Sequence, residues 1–325
     1  MGAGTVIAIL FILLVAGIAL FILWPSIQEL LSGAGNPPPG GNNLPSYKND
    51  ALTVENIYVS PSNPYVGSLV NLRFNLQSNV EYPLENVEVN FFDLKGLGVE
   101  RLKCNGVPSD TSVCTFADFD SLDFKPIELT IKTDSLGSIS SDTDVTISYS
   151  VQYDYFGYRI ANVPVIDGTT RTAPLGKYSQ SASTYGPVAM DFEFPAAGQR
   201  KEGDTVIKEY WVTDNMPFEL KMNFRHVGSS SIGTVKPVNI SEGKVTLTTD
   251  LSYVDPFPCD FNYNSGEGYF ESDKSIEIPK ELICNFRATL EAGVPETSET
   301  VISMFNYTYS YTRTETFTVR PIPKE

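Results

Sequence analysis

Histidine occurs once in this chain, as His226 in Phe224-Arg-His-Val-Gly228, and that limits the available chemistry at once. A Ser–His–Asp triad or a histidine-bearing metal centre would have to be built around this single imidazole. The chain has no G-x-S-x-G elbow, P-loop or H-E-x-x-H stretch. Its 39 acidic residues could supply a carboxylate pair for glycoside hydrolysis. Such pairs are defined by spatial separation, however, so sequence singles out none of them. Two acidic stretches, Asp118 to Asp123 and Asp134 to Asp144, lack EF-hand spacing and read as solvated loops. Ca2+ is the one ion they would attract. No other cofactor or metal is expected, no catalytic residue is assigned, and the chain reads as a binding protein and not an enzyme.

The cysteines carry a clearer signal. Cys104 and Cys114 enclose NGVPSDTSV, while Cys259 and Cys284 enclose a longer acidic and aromatic insert, residues 260–283. The simplest of three connectivities joins 104 to 114 and 259 to 284. A C-x-x-C pair is absent, so neither zinc nor thioredoxin-type chemistry is suggested. Locally paired cysteines in a loop-rich chain fit an oxidising exterior. The sequons Asn239-Ile-Ser241 and Asn306-Tyr-Thr308 are then candidate glycan acceptors. The insert is closed at its base and carries Phe261, Tyr263, Tyr269 and Phe270, which makes it a candidate partner-binding loop. Phe305, Tyr307, Tyr309 and Tyr311 alternate along one strand face. A glycan on Asn306 would make the opposite face wet and turn these aromatics inward.

The elements that must position these residues are strands. Alternating β-branched and aromatic runs recur about every ten residues, with turn residues between them. They fall at 52–59, 69–76, 87–92, 127–131, 145–151 and 160–166. The chain then repeats itself. Leu72-Arg-Phe-Asn-Leu76 returns as Leu220-Lys-Met-Asn-Phe224, and Cys114-Thr-Phe116 returns as Cys284-Asn-Phe286. Tyr153, Tyr155 and Arg159 return as Tyr307, Tyr309 and Arg313. Matches in one order indicate tandem copies of a domain. The fold class expected is all-β: two tandem immunoglobulin-like antiparallel β-sandwiches, preceded by one N-terminal transmembrane α-helix. The boundaries are a helix at 1–31, a Pro/Gly-rich linker at 32–49, sandwiches at 50–167 and 186–322, an interdomain linker at 168–185 and a tail at 323–325.

The helix is read from Thr5 to Trp24, 20 positions without a charge, enough to span a hydrocarbon core of about 30 Å. Its length favours an uncleaved anchor in the lipid bilayer over a cleaved signal, whose apolar core would be shorter. A helix that packs with its copies in a filament or virion is the third reading. Pro37, Pro38 and Pro39 make a short stiff spacer between glycine joints. The net charge of −16 argues against nucleic acid as a partner. It suits solubility outside a cell.

Three stretches carry a family resemblance. Ser60-Pro-Ser-Asn-Pro64, Gly67 to Leu76 and Leu84-Glu-Asn-Val-Glu-Val-Asn-Phe-Phe92 together resemble the CARDB-like branch of immunoglobulin-fold surface modules. The resemblance covers about 45 residues of the first domain and extends to the second only through the internal repeat. It implies a tethered cell-surface array of spacer or adhesion modules, with no family catalytic residues to carry over. The function expected is a membrane-anchored, extracellular structural or adhesive protein that displays its sandwiches for protein or glycan contacts. The alternative is a self-assembling filament or virion subunit whose N-terminal helices pack together.

Overall fold

Alternation that reads as two separate strands, at 145–151 and 160–166, proves to be one unbroken strand of 24 residues, Thr143–Ile166. A second strand of 24 residues, Glu296–Val319, runs antiparallel to it along its whole length. In both, odd-numbered residues are buried with few exceptions and even-numbered ones mostly face outward, as a period of two requires.

The computed structural model describes residues 47–323, less 95–96, 203–204, 229–238, 241–244, 250, 254–258, 261, 265–268, 273–275 and 278–279. The expected membrane helix at 1–31, most of the linker at 32–49 and Phe261 lie outside the described residues. Among those described, helix is confined to one 3-10 turn, Asp134–Leu136.

In chain order the strands begin with β1 (Leu52–Ser60), β2 (Leu69–Ser78), β3 (Leu84–Phe92) and β4 (Gly98–Cys104). Next come β5 (Val107–Ser109), β6 (Val113–Phe119), β7 (Phe124–Lys132) and β8 (Thr143–Ile166). The second half opens with β9 (Ser179–Ser183), β10 (Val188–Glu193), β11 (Ala196–Glu202), β12 (Thr205–Tyr210) and β13 (Val212–Thr213). It continues with β14 (Pro217–His226), β15 (Asn239–Ile240), β16 (Val245–Thr248), β17 (Ser252–Tyr253) and β18 (Asn262–Asn264). The last four are β19 (Tyr269–Ser272), β20 (Ile276–Glu277), β21 (Lys280–Arg287) and β22 (Glu296–Val319).

Three sheets make the framework. One has the order β1-β2-β7-β4-β5 and another β10-β14-β21-β17. The largest runs β18-β19-β16-β22-β8-β3-β6, with β9 and β13 added along β8. The five-stranded sheet packs on the large one through Phe74, Phe91 and Tyr149, the rings of Phe74 and Tyr149 stacking at 4.9 Å. The four-stranded sheet packs on the same face further along, where Phe224 meets Phe305 edge-on at 5.2 Å. Each such buried side chain contributes roughly 1.5–3 kcal/mol. The result is two β-sandwiches on one shared layer.

The long strands are shared out between those sandwiches. At the first, Tyr311 Oη donates to the carbonyl of Leu52 and Arg313 Nη1 to that of Val54, each at 3.1 Å. At the second, Arg159 Nε donates to Gln180 Oε1 at 2.8 Å and its guanidinium lies 3.4 Å from Asp191. So the C-terminal half of β22 closes the sandwich built from the first half of the chain, and the C-terminal half of β8 closes the other. The repeat equates Tyr153 with Tyr307 and Tyr155 with Tyr309, while the register pairs Tyr153 with Tyr309 and Tyr155 with Tyr307. Exchanging the copies returns the same two pairs. The centre of this approximate two-fold relation is therefore Asp154 opposite Thr308.

Equivalent strands follow from the matching orders: β1-β2-β7-β4 corresponds to β10-β14-β21-β17, and β6-β3-β8 to β19-β16-β22. One sequence match fails this comparison. Cys114 lies on β6 in the large sheet, whereas Cys284 lies on β21, the counterpart of β7. Leu72 faces Leu129 and Leu220 faces Cys284, so the residue corresponding to Cys284 is Leu129. Three residues of cysteine, any residue and phenylalanine are too few to fix a strand's place in a sheet.

Candidate functional site

The exchange centre also borders a groove lined by residues of both long strands. Asp154 and Thr308 face outward there because both are even-numbered in their strands. Thr308 Oγ1 donates to Asp154 Oδ1 at 2.5 Å, and Asn86 Nδ2 donates to Oδ2 at 2.8 Å. Asn86 reaches that position from a left-handed backbone conformation, φ 49°, at an irregularity in the pairing of β3 with β8. Asparagine tolerates this conformation better than most residues. The two neutral donors fix the carboxylate without cancelling its charge.

A groove of about 470 Å³ opens beside this carboxylate, walled by Tyr82, Pro83, Glu85, Phe156 and Asn306. Tyr82 and Phe156 form its aromatic side, with centroids 5.0 Å apart and rings tilted by 52°. The phenol of Tyr158 is held above the ordinary tyrosine range, by burial first and then by its neighbour Tyr82, to which it is hydrogen-bonded. Tyr82 is thus positioned from two sides. Glu85 and Asn306 are both exposed, so the polar side of the groove is open to solvent. Two carboxylates, an amide and two rings make a surface suited to recognition.

His226 is not part of this groove. Its Nε2 lies 2.7 Å from Tyr309 Oη, and the two rings stack at 5.8 Å and 2° on the inward side of the large sheet. Burial depresses its pKa, and the carboxylate of Asp50 partly offsets that. Burial also pushes the phenol of Tyr309 up, with Asp50 adding to the effect.

The remaining sequence candidates are dispersed. Cys104–Cys114 joins β4 of the five-stranded sheet to β6 of the large sheet, across the sandwich. Cys259–Cys284 instead joins neighbouring antiparallel positions at one sheet. Asn306 is exposed on the outer face, and Phe305, Tyr307, Tyr309 and Tyr311 are buried on the inner one. The backbone of Asn239 lies in β15, paired with Glu277. Within the insert, Tyr263 on β18 pairs in register with Phe270 on β19, and Tyr269 with Asn264. In the acidic stretches, Asp123 binds Lys125 at 2.9 Å, Asp134 binds Lys132 at 2.7 Å, and Asp144 accepts a bond from Thr318. Among the described residues no group of three or more His, Cys, Asp or Glu is arranged to hold a metal.

Sequence reasoning missed Tyr82, Glu85 and Phe156. Phe156 did leave a signal, being with Tyr158 a large aromatic on the outward register of a strand whose other aromatics, Tyr149, Tyr153 and Tyr155, point inward. Tyr82 and Glu85 left none, because they reach the groove only through the loop before β3 and the bulge within it.

Comparison with known proteins carries no argument for this chain. No protein-family model matches the chain, the CARDB family included, and no curated protein matches it. Among solved structures, the collagen adhesin (CNA) from S. aureus is 9% identical, over 86% of this chain and 96% of that one, with a TM-score of 0.14. A type II cohesin dyad from the adaptor ScaA scaffoldin of Acetivibrio cellulolyticus is 10% identical, over 78% and 86%, with a TM-score of 0.19. The secreted serine protease VesC from Vibrio cholerae is 8% identical, over 80% and 50%, also at 0.19. Scores this low carry no argument about ancestry or activity. The class of the protein, a double β-sandwich with two disulfides, rests on the sheets and bridges themselves.

Proposed function

We propose that this chain is a membrane-anchored adhesive surface protein, held by residues 5–24 and facing the exterior, whose double sandwich offers a contact surface and performs no turnover. The observation that carries the reading is the interlocked body: two sandwiches that complete one another, with a disulfide at each. A body of this kind resists being pulled or cleaved apart, which suits display outside a cell. The CARDB-like stretches of the first half agree with such a role, and the uncharged run at 5–24 supplies the attachment. Asn239 and Asn306 serve as glycan acceptors where the host modifies sequons.

The test is made on intact cells expressing the full chain. A membrane-impermeant maleimide, applied after mild external reduction, should label the cysteines, and a protease site inserted in the linker at 32–49 should let added protease release the body into the medium. Labelling only after lysis, with all four thiols free beforehand, would overturn the reading.

A further inference from the structure

We propose that the groove at the exchange centre receives an arginine side chain from a partner protein. This deepens the adhesive reading given above and rests on it for the existence of an external partner. Charge and shape both favour a guanidinium. Glu85 and Asp154 stand on the polar side, and none of the groove's nine lining residues is a lysine, arginine or histidine. Phosphate groups and acidic sugars are therefore repelled, the more so by a chain of net charge −16.

In the same groove Tyr82 and Phe156 pack together, their centroids 5.0 Å apart and their rings tilted by 52°, with Tyr82 braced by Tyr158. A guanidinium is planar, weakly hydrated and able to stack on such faces while its N–H fork meets a carboxylate. An ammonium, more strongly hydrated and lacking the planar fork, gains less from the same site. Asp154 is pre-set for this role by Asn86 and Thr308, which use one lone pair on each oxygen and leave the others. An oligosaccharide on Asn306 would stand at the mouth of the same groove, so glycosylation at that position and arginine binding exclude one another.

The experiment uses the full chain in nanodiscs, with Asn306 shown by mass to be unmodified. Fluorescence anisotropy follows a labelled peptide of alternating glycine and arginine, with lysine and glutamate versions as controls. The arginine peptide should bind more tightly than the lysine one, and the glutamate one not at all. Binding should weaken about tenfold in Glu85→Gln or Phe156→Ala and fall further as salt rises, as expected for an ion pair assisted by a ring face. Unchanged melting of both variants shows that the fold survives. Equal binding by wild type and both variants would overturn the proposal. So would a neutral oligosaccharide that competes for the groove and is indifferent to Glu85→Gln. A chain that is external on intact cells but fails to bind sinks this inference alone. A chain confined to the cytosol that still binds the peptide sinks the surface reading and leaves the groove's preference standing.

Discussion

The two ends of the β8–β22 ribbon share one kind of seal and differ in another. At the first, Tyr311 and Arg313 reach across to carbonyls of Leu52 and Val54. The segment after β1 also bonds in parallel to the end of β22, Arg320 N–H donating to the Pro64 carbonyl and Val66 N–H to that of Arg320. At the second, β13 makes the matching parallel contact with β8 at Val165 and Ile166, Asp214 N–H donating to the Ile166 carbonyl, and β9 adds along residues 159–162. Their outward faces differ as well. Thr146, Ser150, Thr312, Thr314 and Thr316 cover the first end, whereas Tyr158, Ile160, Ile302 and Met304 cover the second. The sheet orders and the parallel bridge stayed alike, while the added β9 and the outer surfaces diverged. A sandwich framework therefore constrains which strands must neighbour one another far more than it constrains the surface they turn outward.

The largest test breaks the exchange itself. Ending the chain after Asn306 removes Tyr307, Tyr309, Tyr311, Phe317 and Val319, all buried. At roughly 1.5–3 kcal/mol each, the loss is about 8–15 kcal/mol, comparable with the whole stability of an ordinary domain. Hydrogen exchange should show β1, β2 and β7 losing protection although none of their residues was deleted. Native protection in those strands would refute mutual completion.

Removing the bridges separately sharpens the contrast between halves. The disulfides close loops of 10 and 25 residues, worth about 2.7 and about 3.5 kcal/mol by loop entropy. Denaturant midpoints of the two double-serine variants should follow that order. A greater loss for Cys104/Cys114 would mean that joining two sheets outweighs loop length.

Steric room at the second end comes next. A Cβ at Gly157 would lie 2.2 Å from Phe305 Cζ, whereas at the first end the counterpart of Gly157 is Tyr311, opposite Val151. Gly157→Ala should cost about 1–3 kcal/mol by overpacking, read from thermal melts, and Phe305→Leu should restore part of it. At the first end, Tyr311→Phe removes the bond to the buried Leu52 carbonyl and should cost about 1–2 kcal/mol. A loss under a few tenths would mean that the side-chain seal contributes little.

The smallest effect is one of pH. Burial places the folded-state pKa of His226 below its unfolded value, so the neutral ring is favoured by folding. Its contribution is fully present above the unfolded pKa near 6.5 and is lost as pH falls through the folded value. Wild type should lose melting temperature between pH 7 and 5, and His226→Phe should flatten that part of the profile. An unchanged slope would remove the histidine from the account.

How much was readable in advance divides along one physical line. Strand positions and the inward face of Phe305 to Tyr311 follow from a period of two, which is local and belongs to the chain itself. The internal repeat was legible at Leu72–Leu76 and at Tyr153–Arg159, where several residues keep both type and spacing. Period two does not name a strand's neighbour, however, and nothing in Tyr307–Val319 marks it as belonging with β1 and not with β21. The linker expected at 168–185 likewise contains β9, a polar strand with no apolar alternation to reveal it. The groove lay further out of reach, since Tyr82, Glu85, Phe156 and Asn306 meet only after two distant strands cross at Asp154 and Thr308. Hydrophobic pattern decides which face turns inward; long-range pairing, settled by packing over the entire body, decides who faces whom.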